Sequence, residues 1–283
     1  MTVSELRKQI IDRLTPAVGA TEAVAMMREM FLKLKGYKPV DIALYGNRTV
    51  LQESVRVADG WCERVIAGEP LQYILGTAYF MGMELMVSPA VLIPRPETAG
   101  LVDMIVDRYA DRTGVRVLDV GTGSGCIAIA LARALRFASV DAIDISTPAL
   151  AVARENAARM RVDVSFNRLD ALALSVKTLP GPYDVIVSNP PYIAQHERAD
   201  MNPRVYANEP AQALFVPDSD PLIFYRTIAG YALQALDADG TLYFEINPLY
   251  SEQLRSMLVA QGWRDVDIIR DYKGNYRFAV CRI

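Results

Sequence analysis

Asn189-Pro190-Pro191-Tyr192 follows directly on the apolar run Tyr183 to Ser188. An amide side chain, two prolines and an aromatic ring at the end of a buried strand form a small planar clamp. Proline fixes φ and has no N–H, so Pro190 and Pro191 stiffen the loop and leave their carbonyls free to accept hydrogen bonds. The following proline also pushes Asn189 into extended geometry and aims its side chain away from the strand end. Such a clamp suits a flat nitrogen nucleophile and is a poor fit to hydride or phosphoryl transfer. Read for structure alone, the tetrapeptide is a proline-stiffened loop closing a strand. The residues upstream weigh against that plainer reading.

Upstream, Leu118-Asp119-Val120-Gly121-Thr122-Gly123-Ser124-Gly125 ends one strand and opens a helix. Glycines let the backbone turn tightly and approach a ligand without a Cβ in the way. A dinucleotide fingerprint wants glycines at relative positions one, three and six. Here Cys126 holds the sixth place and the third glycine is Gly125. That spacing favours a nucleoside cofactor without a pyrophosphate, cradled by Gly121, Thr122, Gly123, Ser124 and Gly125. Asp144 ends the next strand, where doubly wound folds place an acid on the ribose hydroxyls. Asp170, after the third strand, is placed to meet an adenine amine, with the backbone of Ala171 beside the ring.

These groups need a scaffold, and the chain divides into two patterns near residues 80–95. Residues 1–76 read as a small helical bundle. Thr2 and Glu5 form a capping box opening Val3 to Leu14, and Thr21 and Glu22 open a second segment that stops near Gly36. Leu51, Val55, Ala58, Cys62 and Val65 share one face of a third helix. Residues 77–96 read as a linker hairpin. Within the linker, Arg95 and Glu97 on their own read as an ion pair worth roughly 1 kcal/mol or less at a surface.

From 97 to 283 strands and helices alternate. Strands are expected at Val115–Val120, Val140–Ile145, Val162–Phe166, Val185–Ser188, Thr241–Ile246, Val266–Ile269 and Arg277–Ile283, with helices at Cys126–Arg136 and Pro148–Met160. Apolar strands alternating with helices indicate an α/β fold, a seven-stranded, mostly parallel sheet covered on both faces. The turn at Lys273-Gly274-Asn275 makes the last two strands antiparallel.

Composition bounds the function. The 283 residues carry a net charge of −3 and the pI is near 5.4, so strong binding to nucleic-acid backbones is not expected. Three widely spaced cysteines argue against a disulfide framework and for a reducing cytoplasm. Neither a membrane span nor a signal peptide is expected. With one histidine, His196, and no cysteine pair at ligand spacing, no metal site is expected. His196, alone in a loop, is expected to be a surface or structural residue, with no general base required. The expected oligomeric state is a monomer.

Together, the glycine loop, Asp144, Asp170 and the tetrapeptide resemble the Rossmann-like class I S-adenosylmethionine-dependent methyltransferases. The resemblance implies S-adenosyl-L-methionine as donor, held by residues 121–125, Asp144, Asp170, Ala171 and Asn189, with S-adenosyl-L-homocysteine as product. It also implies that Asn189, Pro190, Pro191 and Tyr192 hold the acceptor, with Asn189, Pro190 and Tyr192 serving catalysis. Clamps of this type act on adenine amino groups and on glutamine side-chain amides. In both, the Asn189 oxygen and the Pro190 carbonyl would accept the two N–H bonds while Tyr192 packs on the flat face.

Two further segments separate the acceptors. Gly68-Glu69-Pro70-Leu71-Gln72-Tyr73-Ile74-Leu75-Gly76 and Ile93-Pro94-Arg95-Pro96-Glu97-Thr98 resemble the signature of the protein-(glutamine-N5) methyltransferases of peptide chain release factors, the PrmC/HemK family. The resemblance continues through Glu209-Pro210-Ala211-Gln212-Ala213-Leu214 to Arg277. It implies a helical N-terminal substrate-recognition domain, and a release factor as protein substrate, methylated on the glutamine of its Gly-Gly-Gln motif. The sister family that methylates a ribosomal protein usually lacks the Arg-Pro-Glu-Thr form. The chain departs from the family at Phe215-Val216-Pro217-Asp218 and Asp220-Pro221-Leu222, where prolines replace flexible Gly-Gly and Gly-Leu pairs. A nucleic-acid adenine methyltransferase and a non-catalytic module of the same fold are the competing readings.

Overall fold

The computed structural model describes residues 1–283 and divides into two compact units, Met1–Gly76 with Asn202–Asn208, and Thr77–Met201 with Glu209–Ile283. The first contains α1 (Val3–Val18), α2 (Ala20–Lys35), α3 (Pro39–Leu44), α4 (Gln52–Ile66) and α5 (Leu71–Leu75). Thr2 and Glu5 form the expected reciprocal cap: Glu5 N–H donates to Thr2 Oγ1 at 3.2 Å and Thr2 N–H to Glu5 Oε2 at 2.8 Å. Thr21 falls inside the first turn of α2, which Gly19 precedes. In α4 the face Val55, Ala58, Cys62 and Val65 is buried, as the spacing requires, whereas Leu51 precedes the helix and is exposed. These side chains join Leu6, Ile10, Leu14, Met30 and Phe31 in one core.

The second unit starts with the antiparallel pair β1 (Thr77–Phe80) and β2 (Met83–Met86). It continues with α6 (Thr98–Tyr109), β3 (Arg116–Val120), α7 (Cys126–Ala134), β4 (Ser139–Asp144), α8 (Thr147–Met160), β5 (Ser165–Arg168), β6 (Tyr183–Ser188) and β7 (Ile193–Ala194). The single turn α9 (Pro203–Tyr206) belongs to the first unit, where Asn208 donates to the Gly68 carbonyl at 3.1 Å. The chain then forms α10 (Ala211–Leu214), β8 (Phe215–Val216), α11 (Ile223–Ala235), β9 (Leu236–Glu245), α12 (Ser251–Ala260), β10 (Asp265–Arg270) and β11 (Tyr276–Arg282). No helix is long and apolar enough to cross a membrane.

Seven strands form one sheet in the order β10-β11-β9-β6-β3-β4-β5. β11 alone runs against its two neighbours, while β3 pairs in parallel with β4 and β6, and β6 with β9. The alternation of side chains along a strand explains why these strands read as continuous apolar runs. Val117, Val185 and Val187 face one core with α6 and α7, and Leu118, Val120 and Ile186 face the other with α11 and α12. Chain order carries β3 to β4 and β5 on one side and then back to β6 on the other. This reversal at β3 is the point where open sheets of this kind bind ligands, at the carboxyl ends of the strands.

Two strands begin three or more residues away from the sequence reading. The third strand lies at Ser165–Arg168, not at the apolar Val162–Phe166, because Asp141 to Asp144 of β4 set its register from Ser165 onward. Pairing also begins earlier in β9, at Leu236, with an irregularity before the Val185–Thr241 pair. The prolines near 217–221 leave an ordered turn. Phe215 and Val216 pair in parallel with Ile193 and Ala194, so this segment holds the chain just after Tyr192.

Candidate active site

A cavity of about 250 Å³ opens at the carboxyl ends of β3, β4 and β6, entirely within the second unit. Its walls bring together Gly121, Thr122, Gly123 and Ser124 from the glycine loop, Asp144 from β4, Asp170 and Ala171 after β5, and Asn189, Pro190 and Pro191 after β6. Thr98 and Arg95 from the segment before α6 also line it, as do Pro210, Gln212 and Ala213. Ten residues singled out from sequence thus meet in one space. Gly125 and Tyr192 do not line it.

The loop conformation follows from its glycines. Gly121 and Gly123 have φ of +77° and +55°, and nothing lies within 4 Å of where a Cβ would sit on either. Side chains there would project into free space beside the cavity, so these are the positions that let a ligand approach the backbone. Gly125 has φ +82°, but its Cβ would meet Ile129 Cδ1 at 3.0 Å and Ala153 Cβ at 3.2 Å. Its glycine is required by the seating of α7 against α8.

Charge at the loop is arranged by three acids. Asp144 accepts the Gly123 N–H on Oδ2 at 2.9 Å and the Ser146 N–H on Oδ1 at 2.8 Å. Each oxygen retains lone-pair capacity for a further donor. Asp170 accepts the Leu172 N–H at 2.8 Å through Oδ1. Asp119 is fully buried under the loop and accepts from the Thr122 hydroxyl at 2.7 Å and the Ala128 N–H at 3.2 Å through Oδ2. Burial pushes its carboxyl up to about 7, against the pull of those two hydrogen bonds. Burial likewise pushes the Cys126 thiol up to about 12, so this wall residue is a protonated thiol and no nucleophile.

A nucleoside sulfonium fits these residues on three observations of the chain itself. The two loop glycines leave an open cradle, Asp144 offers two carboxylate oxygens beside it, and Ser124 Oγ is buried at the wall with no protein partner.

The acceptor end is backed by a residue that sequence spacing did not single out. Glu245, at the end of β9 and 1% exposed, accepts the Thr98 hydroxyl on Oε2 at 2.7 Å and the Tyr192 hydroxyl on Oε1 at 3.4 Å. Burial raises the Glu245 carboxyl, while Thr98, Arg277 and Tyr192 pull it down. Tyr192, expected against the acceptor, instead packs against the α11–α12 core with its hydroxyl turned inward to Glu245. Desolvation keeps that hydroxyl protonated far above neutral pH. Asn156, fully buried on α8, donates to the Ser124 carbonyl at 2.9 Å and exchanges hydrogen bonds with the Met86 backbone. It ties the loop to β2.

Arg95 and Glu97 do not pair with each other. Arg95 meets Glu209 at 2.5 Å, and Glu209, 5% exposed, also accepts the Ile93 N–H. Glu97 pairs with Lys273 at 2.6 Å. The linker motif and the Glu209 motif are therefore two halves of one buried contact. His196 is exposed and bonded to Asp218, outside the cavity lining.

Comparisons with known proteins agree on the fold and on a narrower kinship. Residues 98–213 match the methyltransferase small domain, and residues 5–76 match the PrmC N-terminal domain. A release factor glutamine methyltransferase of Bacteroides thetaiotaomicron is 49% identical over 215 residues, 76% of either chain. The corresponding protein of Deinococcus radiodurans is 34% identical across 100% of this chain and 99% of its own. That of Chlorobaculum tepidum is 37% identical over 87% and 85%. Among solved structures, a human methyltransferase 10 domain containing protein superposes with TM-score 0.53 at 19% identity, over 71% of this chain and 89% of its own. The catalytic domain of hMettl16 does so with TM-score 0.56 at 16%, over 83% and 84%. Both structures speak to the fold alone.

Proposed function

Because the chain belongs to the release factor glutamine methyltransferase family, we propose that its cavity transfers a methyl group to the side-chain amide nitrogen of the glutamine in a release factor's Gly-Gly-Gln motif. It is a methyltransferase, and its donor is S-adenosyl-L-methionine. The observation that carries the site assignment is the meeting of Gly121–Ser124, Asp144 and Asn189–Pro191 around one cavity.

In this reading Gly121, Thr122, Gly123 and Ser124 hold the donor's methionine part, Asp144 its ribose, and Asp170 with Ala171 its base. Gly125 supports them by seating α7. When bound, S-adenosyl-L-methionine would supply a sulfonium methyl to the amide nitrogen, which would shed one N–H proton to solvent, with S-adenosyl-L-homocysteine as the product. The chain's own contribution is positional. An amide nitrogen is a weak nucleophile, since its lone pair is delocalised into the carbonyl. Asn189 Oδ1 and the Pro190 carbonyl accept its two N–H bonds and hold the nitrogen at one place and angle, which converts binding into rate. Pro191 keeps the loop rigid, and Tyr192 acts from behind through Glu245. The nitrogen becomes far more acidic once alkylated, so no strong base is required, in keeping with a wall that contains no histidine.

Residues 1–76 are read as the part that grips the body of the release factor. Support comes from Val40, Leu44 and Leu51 of this helical unit, which are 60%, 71% and 69% exposed. The protein is read as a cytoplasmic monomer, and the free thiols at Cys62, Cys126 and Cys281 suit a reducing compartment. Asn189→Ala tests the site. The variant should bind S-adenosyl-L-methionine nearly as the wild type does, while methylation of the factor falls by about a hundredfold or more. Unaltered turnover in Asn189→Ala would reject the clamp.

A further inference from the structure

An amide clamp works only if its oxygen faces the acceptor, and an asparagine can present either its oxygen or its NH₂ there. We propose that Glu245 is a positioning residue that, through Thr98, locks the Asn189 side chain with its oxygen towards the cavity. The proposal rests on the reading of Asn189 as the acceptor clamp.

The available hydrogens decide the polarity. Glu245 is buried at the end of β9 and, as a carboxylate, can only accept. The Thr98 hydroxyl donates its single hydrogen to Glu245 Oε2 at 2.7 Å. Thr98 Oγ1 then has nothing but lone pairs left for its second neighbour. That neighbour is Asn189, whose Nδ2 donates to it at 3.5 Å. One Nδ2 hydrogen goes to Thr98, and a flip would set Oδ1 against those lone pairs, so Oδ1 is the end turned to the cavity that Thr98 and Asn189 both line. The Tyr192 hydroxyl donates to the other oxygen of Glu245, at 3.4 Å, and Arg277 adds opposite charge nearby. Both, with the Thr98 hydrogen bond, favour the acceptor-only form of the carboxylate against the burial that raises its pKa.

The polarity matters for selectivity. Asn189 Oδ1 and the Pro190 carbonyl together present two acceptors, which match an NH₂ group. A flipped Asn189 would present a donor instead and draw in the acceptor's carbonyl oxygen, placing the wrong atom of a glutamine amide at the methyl. Glu245 does not line the cavity, so it acts only through Thr98 and Tyr192.

Variants at Glu245 and Thr98 test this in the whole 283-residue chain with a release factor and S-adenosyl-L-methionine. Glu245→Gln keeps the shape but can donate to Thr98, which frees the Thr98 hydrogen for Asn189 and removes the fixed polarity. Its kcat should fall at least about tenfold, with the donor's dissociation constant and the melting temperature held near wild type. Thr98→Val should show the same loss, and Thr98→Ser should recover most of it. Because both residues act along one path, the Thr98→Val, Glu245→Gln double variant should be little worse than the worse single one. NMR of the Asn189 side-chain NH₂, assigned by its loss in Asn189→Asp, gives a readout independent of turnover. That signal should shift in Glu245→Gln and in Thr98→Val and return towards wild type in Thr98→Ser. Wild-type kcat in Glu245→Gln, additive losses in the double variant, or an NH₂ signal indifferent to Glu245 would overturn the proposal. A wild-type enzyme that leaves the release factor unmodified would instead overturn the substrate assignment, and the NMR arm would still decide the polarity.

Discussion

Gly123 donates its backbone N–H to Asp144 Oδ2 at 2.9 Å, so the acid at the end of β4 fixes the glycine loop at the end of β3. The same carboxylate takes Ser146 N–H on its other oxygen, at the start of α8. One side chain therefore shapes the cradle, and in the proposed function it also holds the donor's ribose. Asp144→Ala should weaken S-adenosyl-L-methionine binding by roughly ten- to a hundredfold, the range for losing one or two charge-assisted hydrogen bonds. Calorimetric titration with an unchanged dissociation constant would show that Asp144 serves the loop alone.

Asp119 gives the fold a pH signature. Its carboxyl is raised from 3.8 to about 7 by burial, so the folded protein holds a proton that the unfolded chain releases. For a group raised in this way, its stabilising contribution is complete below about pH 4 and is lost as pH climbs towards 7. Asp119→Asn removes that titration while keeping the acceptor for Thr122 and Ala128. Without donor, the stability of wild type relative to Asp119→Asn should decline across that window by at most a few kcal/mol. Denaturant melts that show the opposite slope would mean that Asp119 is buried as a favourable anion.

Two glycines of the loop should fail in different ways. Gly123→Ala places a methyl in open space at φ +55°. It should cost about 1–2 kcal/mol of stability for the left-handed backbone, with a disproportionate loss of donor affinity. Gly125→Ala carries the same strain and drives its methyl into Ile129 and Ala153. Its stability loss should be the larger, by about 1–3 kcal/mol, from overpacking between α7 and α8. Equal melting temperatures for the two variants would contradict this division.

Val40 and Leu44 stand one helical turn apart on α3, exposed, while Ile42 between them is buried. If residues 1–76 grip the release factor, Val40→Asp with Leu44→Asp should raise KM for the whole factor about tenfold or more, the effect of losing one or two apolar anchors. Turnover of a short Gly-Gly-Gln peptide should not change. Equal effects on factor and peptide would remove this face from recognition.

Legibility in the sequence tracked how local each cause was. The glycine spacing, the strand-end acid and the Asn189 clamp are short-range patterns, and ten of the proposed site residues do meet in one cavity. Strands buried on both faces, such as Arg116–Val120 and Tyr183–Ser188, announce themselves as apolar runs. β5 does so only with its start three residues too early, because its residues lie at the sheet edge, largely exposed, and its register comes from β4. The Thr98–Glu245 contact spans 147 residues and involves types that are common at surfaces, so nothing local marks it. Arg95 illustrates the same limit: its partner is Glu209, 114 residues on, and not the nearby Glu97. Tyr192 was placed by type, but its hydroxyl turns inward because a buried carboxylate from another strand waits there.

The most direct test of the account offers the enzyme three acceptors side by side with S-adenosyl-L-methionine: a release factor, ribosomal proteins and tRNA. Mass spectrometry of the products should find a single added methyl on the release factor, localised to the Gly-Gly-Gln glutamine, and none on the other two. An unmodified release factor, or methyl label on ribosomal protein or RNA instead, would contradict it.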